Sequence, residues 1–144
     1  MAPDDEVRVR HLIEAAGKAV SYAAGRSCED LDDDELLRLA LTKLVEIVGE
    51  AAKHVSHDLR GSHPEVPWSA AARMRDRLVH HYFEINLDVL WSTVTDDLPR
   101  LLTILSDDLV RDGFAPTADR AEIIVQRTGE LPDQLRTSLG SSPR

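Results

Sequence analysis

Cysteine, aromatic residues and long apolar runs are all scarce in this chain of 144 residues. Its single cysteine, Cys28, excludes an internal disulfide framework and a zinc site built from cysteines. No apolar run approaches the roughly 20 residues that a membrane-spanning helix needs. The first residues have neither a basic start nor an apolar core, so the sequence predicts no signal peptide. These absences favour a cytoplasmic protein that has no membrane partner.

Positive charge is also in short supply, and the formal net charge is −9. Residues 1–110 carry 12 Lys and Arg against 21 Asp and Glu, whereas residues 111–144 carry five of each class. Such an acidic chain repels nucleic acid at long range. We therefore expect no DNA partner, and any contact with RNA must use a local basic spot, helped by a second copy of the chain or by a basic partner.

Apolar residues recur with helical spacing along most of the sequence. Glycine and proline, at seven residues each, are too few for an all-β chain built from tight turns. No strand pattern and no internal repeat is visible. Pro99 falls inside the last long helical pattern, where it should kink or break the helix because it lacks a backbone donor. The predicted helices span residues 4–24, 33–58, 68 or 69 to 81, 86 or 87 to 109, and 117–128.

This pattern predicts an all-α fold, an antiparallel bundle of four core helices with an additional short C-terminal helix. An acidic connector is expected over residues 27–34 and a loop over residues 59–67. The predicted domain spans residues 1–112. Residues 113–144 form an appendage, a short helix followed by a frayed tail.

Arg75 breaks the helical pattern locally. On an ideal helical wheel it falls in the middle of an apolar arc, where an unpaired charge costs several kcal/mol. Either its side chain extends so that the guanidinium reaches water, or it lies in a polar cleft such as a subunit interface. Asp76 and His80 lie roughly opposite that arc. Arg75 and His80 are about 7.5 Å apart along the axis of an ideal helix.

Shortly after Arg75 come three residues whose side chains can take part in catalysis, His80, His81 and Tyr82. A metal site receives little support, because adjacent histidines diverge by about 100° on a helix; only His54 and His57 could share a face. A cysteine nucleophile is disfavoured, since the acidic connector should raise the pKa of Cys28. Arginine and histidine do suit RNA cleavage: histidine moves a proton and arginine grips a phosphate, with no metal required.

The residues around Arg75 resemble a known family. The run from Arg75 to Tyr82 has the form Arg-x4-His-x-Tyr, which resembles the signature of HepT-like toxins in the HEPN superfamily. Four further segments are similar to that family, and together with the motif they extend over about residues 5–110. They are Ile47-Val48-Gly49-Glu50-Ala51-Ala52-Lys53, His63-Pro64-Glu65-Val66-Pro67-Trp68, Phe83-Glu84-Ile85-Asn86-Leu87-Asp88-Val89-Leu90-Trp91 and Asp97-Leu98-Pro99.

The resemblance implies a HEPN-type four-helix bundle and a homodimer whose two motifs face each other. It implies a metal-independent endoribonuclease that has no cofactor of its own. Its substrate would be RNA, either a tRNA or an mRNA. It also implies the toxin half of a type VII toxin–antitoxin system. The partner would be an MntA-like nucleotidyltransferase antitoxin that transfers AMP from ATP onto the toxin.

Carried over residue by residue, the resemblance makes Arg75 the phosphate ligand and His80 the proton carrier. Asp76 fills the supporting polar position after the arginine, and Tyr82 is the AMP acceptor. His81 departs from the family pattern and offers a second proton carrier, and residues 111–144 lie beyond the match. An alternative is a non-catalytic HEPN module that only binds a nucleotidyltransferase partner or a nucleotide. A plain helical scaffold is a third interpretation, but it leaves Arg75 unexplained.

Overall fold

The computed structural model describes residues 1–80, 84–111 and 113. These residues form a helical bundle, which confirms the predicted all-α class. The predicted helix over residues 117–128 and the frayed tail lie outside the described residues. The helices are α1 (Pro3–Ala23), α2 (Asp30–Asp33), α3 (Glu35–His54), α4 (His57–Ser62), α5 (Trp68–Ala72), α6 (Met74–Leu78), α7 (Leu87–Ser92) and α8 (Leu98–Arg111).

Helices α1 and α3 pack against each other in opposite directions. The start of α1 meets the end of α3, where the carboxylate of Asp5 accepts hydrogen bonds from the Ser56 backbone N–H at 2.8 Å and from its hydroxyl at 2.5 Å. The side chain of Asp34 caps the start of α3 by accepting from the Leu37 N–H. Helix α1 ends at Ala23. Gly25, two residues later, has a φ of 73°, a conformation that glycine adopts without strain.

One continuous core unites α1, α3 and α8. It consists largely of aliphatic positions that the sequence periodicity assigns to the inner faces, joined by Leu31 from the predicted connector, and each fully buried leucine stabilises the fold by about 1.5–3 kcal/mol. The largest side chains with almost no exposure are Val9, Leu12, Leu31, Leu41, Val45, Val48, Leu78, Leu90, Leu98, Leu101, Leu105 and Leu109.

The predicted second helix is too long at its C-terminal end. It was expected to reach Asp58, but α3 ends at His54 and a new helix, α4, begins at His57. Ser56 causes the break: its backbone is extended, and its hydroxyl accepts from the Leu59 N–H as an N-cap. Helix α4 therefore occupies part of the region predicted as a loop.

Pro99 does not break the last helix. Helix α7, a π-helical turn (Thr93–Asp97) and α8 follow one another without interruption. The turn widens immediately before Pro99, and the Leu98 N–H donates to the carbonyl of Thr93. A π-helical turn accommodates the missing donor of a proline while helical geometry continues on both sides.

The acidic connector after α1 is partly neutralised by one cation. Arg26 lies between the carboxylates of Asp30 and Asp34, at 3.3 and 2.7 Å. A hydrogen bond from the Ser27 N–H, followed by that from Arg26, lowers the pKa of Asp30. The Arg26 hydrogen bond, followed by that from the Leu37 N–H, lowers the pKa of Asp34. The pKa of Arg26 is correspondingly raised.

Cys28 lies at the same connector, where its thiol faces Asp88 of α7 at 3.5 Å. Desolvation first, and then Asp88, raise the pKa of this thiol. The predicted direction of the shift is confirmed, and the thiolate that a nucleophile needs is disfavoured.

Among the described residues, no helix is both long and apolar enough to cross a membrane.

Candidate functional site

The segment that carries Arg75 is not one straight helix. It was predicted to run unbroken to about His81, but α5 ends at Ala72 and α6 begins at Met74. Arg73 at the junction has φ −95° and ψ 0°, outside the ordinary helical range. The break changes the phase of the following residues, so the ideal wheel does not apply. Met74 and Leu78 are buried, whereas Arg75 is not.

Arg75 points to solvent, and its predicted place in the middle of an apolar arc is therefore wrong. Its side chain is 56% exposed, and its Nε lies 3.1 Å from Oε1 of Glu46 on α3. It borders a shallow pocket of about 220 Å³ together with Asp76. Of the two interpretations of Arg75, the one with its guanidinium in water describes the single chain.

Two arginines of α6 form ion pairs with the elements on either side of it. Arg75 contacts Glu46 of α3, while Arg77 lies 3.5 Å from Asp97 in the π-helical turn. The carbonyls of Ala71 and Ala72 lie 3.6 and 3.4 Å from where a Cβ on Gly49 would stand. Residues 46 and 49 of α3 thus face residues 75 and 72, so the two segments are antiparallel. This packing fixes the side of the bundle on which Arg75 is exposed.

His80 lies in a strand and not on a helix. Helix α6 ends at Leu78, and Val79–His80 pair antiparallel with Glu84–Ile85, with His80 opposite Glu84. Strands of two residues are too short to give the alternation by which a strand is predicted. Because the helix ends at Leu78, the axial distance expected on an ideal helix does not describe the separation of Arg75 and His80. His81 and Tyr82 lie outside the described residues.

The strand pair is tied to the helices on both sides of it. The β-branched Val79 and Ile85 face each other across the strands, and the Asn86 N–H donates to the carbonyl of Leu78 at 2.8 Å. Asn86 then caps α7 by accepting from the Val89 N–H. The backbone of His80 is thus tied between α6 and α7, two residues after the last helical residue of the arginine segment.

Sequence reasoning missed a buried polar pair next to this segment. Nδ1 of His63 contacts a carboxylate oxygen of Asp108 on α8, and both side chains are at least nine-tenths buried. The indole N–H of Trp68, at the start of α5, donates to the carbonyl of His63 at 3.0 Å. A signal existed, because Asp108 lies three residues after buried Leu105 on the apolar stripe of its helix.

The described residues contain no group of three or more His, Cys, Asp or Glu side chains placed to hold a metal ion. His54 is the first histidine of the candidate pair with His57, and its Nδ1 is hydrogen-bonded to the carbonyl of Glu50 at 2.8 Å.

Comparison with known proteins identifies the family. The family model described as "Ribonuclease HepT-like" matches residues 12–107, which is more than half of the chain. The chain therefore belongs to the HepT-like ribonuclease family, and the resemblance stated from its motifs is confirmed. At the level of the family, the predicted class of RNA-cleaving enzyme is confirmed as well. Arg75, His80 and Tyr82 all lie within the matched residues.

Several curated proteins are similar to this chain. A Thermococcus cleftensis protein named "Probable ribonuclease HepT" is 45% identical over 73 residues, covering 51% of this chain and 66% of that protein. A Caldanaerobacter subterraneus protein named "Putative RNase" is 34% identical over 93 residues, covering 65% and 83%. A Methanocaldococcus jannaschii protein, also named "Putative RNase", is 28% identical over 112 residues, covering 76% and 92%. No solved structure matches the chain significantly.

The extent of these matches differs. The chain spans just under two thirds of the Thermococcus protein and more than four fifths of each of the other two. All three names describe a ribonuclease, which agrees with the family model.

Proposed function

We propose that this chain is a metal-independent RNA endonuclease in which Arg75 binds the scissile phosphate and His80 moves a proton. The observation that carries the proposal is the family match, which contains the complete Arg-x4-His-x-Tyr motif. The exposure of Arg75 supports it, because an arginine with its guanidinium in solvent is accessible to a phosphate. Cleavage of labelled RNA by the purified wild type, His80→Ala and Arg75→Ala tests the proposal.

The chemistry needs only groups that the RNA and these two side chains provide. The ribose 2′-oxygen attacks the adjacent phosphorus, and the bond from phosphorus to the 5′-oxygen breaks. The products are a 2′,3′-cyclic phosphate and a 5′-hydroxyl. His80 takes the proton of the 2′-hydroxyl and gives it to the departing 5′-oxygen, or it carries out one of these two transfers while a second proton carrier carries out the other. Arg75 stabilises the charge on the phosphoryl oxygens in the transition state. Asp76 supports Arg75 from the next position, and His81 offers a second proton carrier.

A homodimer would give the site its second half. Arg75 is exposed on one side of a bundle whose net charge is −9, so a single chain offers an RNA strand few cations. Two-fold symmetry would place two copies of the motif around one cleft and double its local positive charge. We expect a dimer by light scattering at micromolar concentration. A monomer under those conditions would contradict this arrangement.

We further propose that the chain is the toxin of a type VII toxin–antitoxin system. Its partner would be an MntA-like nucleotidyltransferase that uses ATP to transfer AMP to Tyr82. The Tyr82 oxygen would attack the α-phosphate of ATP, release pyrophosphate and form a phosphodiester that carries about one negative charge. That phosphate would compete with RNA for Arg75, and the nucleoside would block access to the site.

Intact mass measures this modification directly. Co-expression with an MntA-like nucleotidyltransferase should add roughly 329 Da for each AMP to the wild-type chain. Tyr82→Phe should gain nothing and should stay toxic. If Tyr82→Phe gains the same mass, the acceptor is Tyr22 or another hydroxyl. If the wild type is neutralised without any gain, the partner acts by binding alone.

A further inference from the structure

Glu46 is the residue of α3 that contacts Arg75. Its Oε1 lies 3.1 Å from the Arg75 Nε, and its Oε2 lies 4.0 Å from the Nζ of Lys43. The Glu46 side chain is 32% exposed and that of Arg75 is 56% exposed, so Glu46 is the more buried partner of the pair. No motif or spacing in the sequence selects Glu46 over the other glutamates of α3.

The contact uses one particular edge of the guanidinium. Arginine presents its donors in a rigid planar fork, with one N–H on Nε and two on each Nη. A carboxylate beside Nε biases the orientation of the fork and does not occupy the outer edge between the two Nη atoms. That edge matches two oxygens of a phosphate. Without this contact, an arginine as exposed as Arg75 would sample many rotamers.

We infer that Glu46 is a positioning residue that holds Arg75 with its outer edge ready for the scissile phosphate. The inference rests on the proposed function. Positioning by a carboxylate carries a cost, because the same negative charge opposes the approach of an RNA phosphate. Glu46 therefore has two opposite effects: it weakens RNA binding and speeds the chemical step.

Glu46→Gln separates these two effects, because it removes the charge and keeps the shape. Single-turnover cleavage of a labelled, mixed-sequence single-stranded RNA should slow by about tenfold, the scale of a loss of orientation. The binding of that RNA, measured in a His80→Ala background at one fixed salt concentration, should tighten by about twofold, the scale of one exposed ion pair. A merely structural role would not produce tighter binding together with slower cleavage.

Glu14→Gln is the matched control. Glu14 is an exposed glutamate on α1 whose carboxylate lies 3.4 Å from Nζ of Lys18, and it is not among the described residues that line the pocket beside Arg75. The substitution makes the same change of charge at another lysine ion pair. We expect its cleavage rate to stay within about twofold of the wild type, the scale of a surface substitution away from the reacting groups. Its RNA affinity should change less than that of Glu46→Gln.

Two results would overturn the inference: equal cleavage rates for Glu46→Gln and Glu14→Gln, or weaker RNA binding by Glu46→Gln. Thermal unfolding of both variants should match the wild type, since exposed ion pairs contribute little to stability. If the wild type does not cleave RNA, the proposed function fails separately. The binding comparison in the His80→Ala background still decides the role of Glu46, because equal affinities for the two variants would contradict it.

Discussion

Alanine in place of His80 is expected to slow RNA cleavage by at least about 10²-fold, the usual contribution of general acid–base catalysis. Arg75→Ala should slow it by about 10²–10³-fold, since it removes the charge that stabilises the phosphoryl oxygens. Expression of either variant without an antitoxin should no longer be toxic. The measurement is single-turnover cleavage of labelled RNA by each purified protein.

The loss of activity should occur without a loss of folding. Arg75 is 56% exposed, and substitutions at such positions change the free energy of unfolding by no more than about 0.5 kcal/mol. Arg100→Ala is a suitable control, because it removes the same charge from an exposed position on α8. It should retain wild-type cleavage. Wild-type activity in His80→Ala, or equal losses in Arg75→Ala and Arg100→Ala, would contradict the assigned roles.

The buried pair of His63 and Asp108 should contribute clearly to stability. Asp108→Ala is expected to lower the free energy of unfolding by about 1–3 kcal/mol, because it removes the carboxylate that the buried imidazole contacts. The pair joins α8 to the loop before α5, and Trp68 anchors on the carbonyl of the same histidine. Chemical denaturation of the purified variants measures the effect.

The neighbouring aspartate provides the control for this experiment. Asp107 precedes Asp108 on the same helix, but its side chain is exposed. Asp107→Ala removes the same charge and should change the free energy of unfolding by no more than about 0.5 kcal/mol. A loss below about 1 kcal/mol in Asp108→Ala would show that the pair does not stabilise the bundle as a buried hydrogen-bonded pair does.

The inner faces of the helices could be predicted because they depend only on local spacing. The stripe that contains Leu98, Leu101 and Leu105 is buried as the 3.6-residue period requires. Helix ends were harder, since they depend on contacts that the period does not encode. Ser56 ends α3 because Asp5, 51 residues earlier in the chain, accepts its hydrogen bonds.

The candidate site illustrates the same limit. The sequence motif is sufficient to select Arg75, His80 and Tyr82, but it does not predict the surroundings of Arg75. The wheel placed Arg75 on an apolar arc because it assumed an unbroken helix, and the irregular backbone at Arg73 moved it to the surface. Glu46 and Arg75 are 29 positions apart in sequence, and only the antiparallel packing of α3 on α6 brings them together.

Cleavage by the purified wild-type chain in excess EDTA tests the central claim most directly. The substrate is a pair of RNAs that differ only in a 2′-deoxyribose at the mapped cleavage position. We predict that the all-ribose RNA is cut in EDTA to products with a 2′,3′-cyclic phosphate and a 5′-hydroxyl, and that the deoxy-substituted RNA is not cut there. Cleavage that requires added metal, equal cleavage of both RNAs, or no cleavage at all would contradict the account.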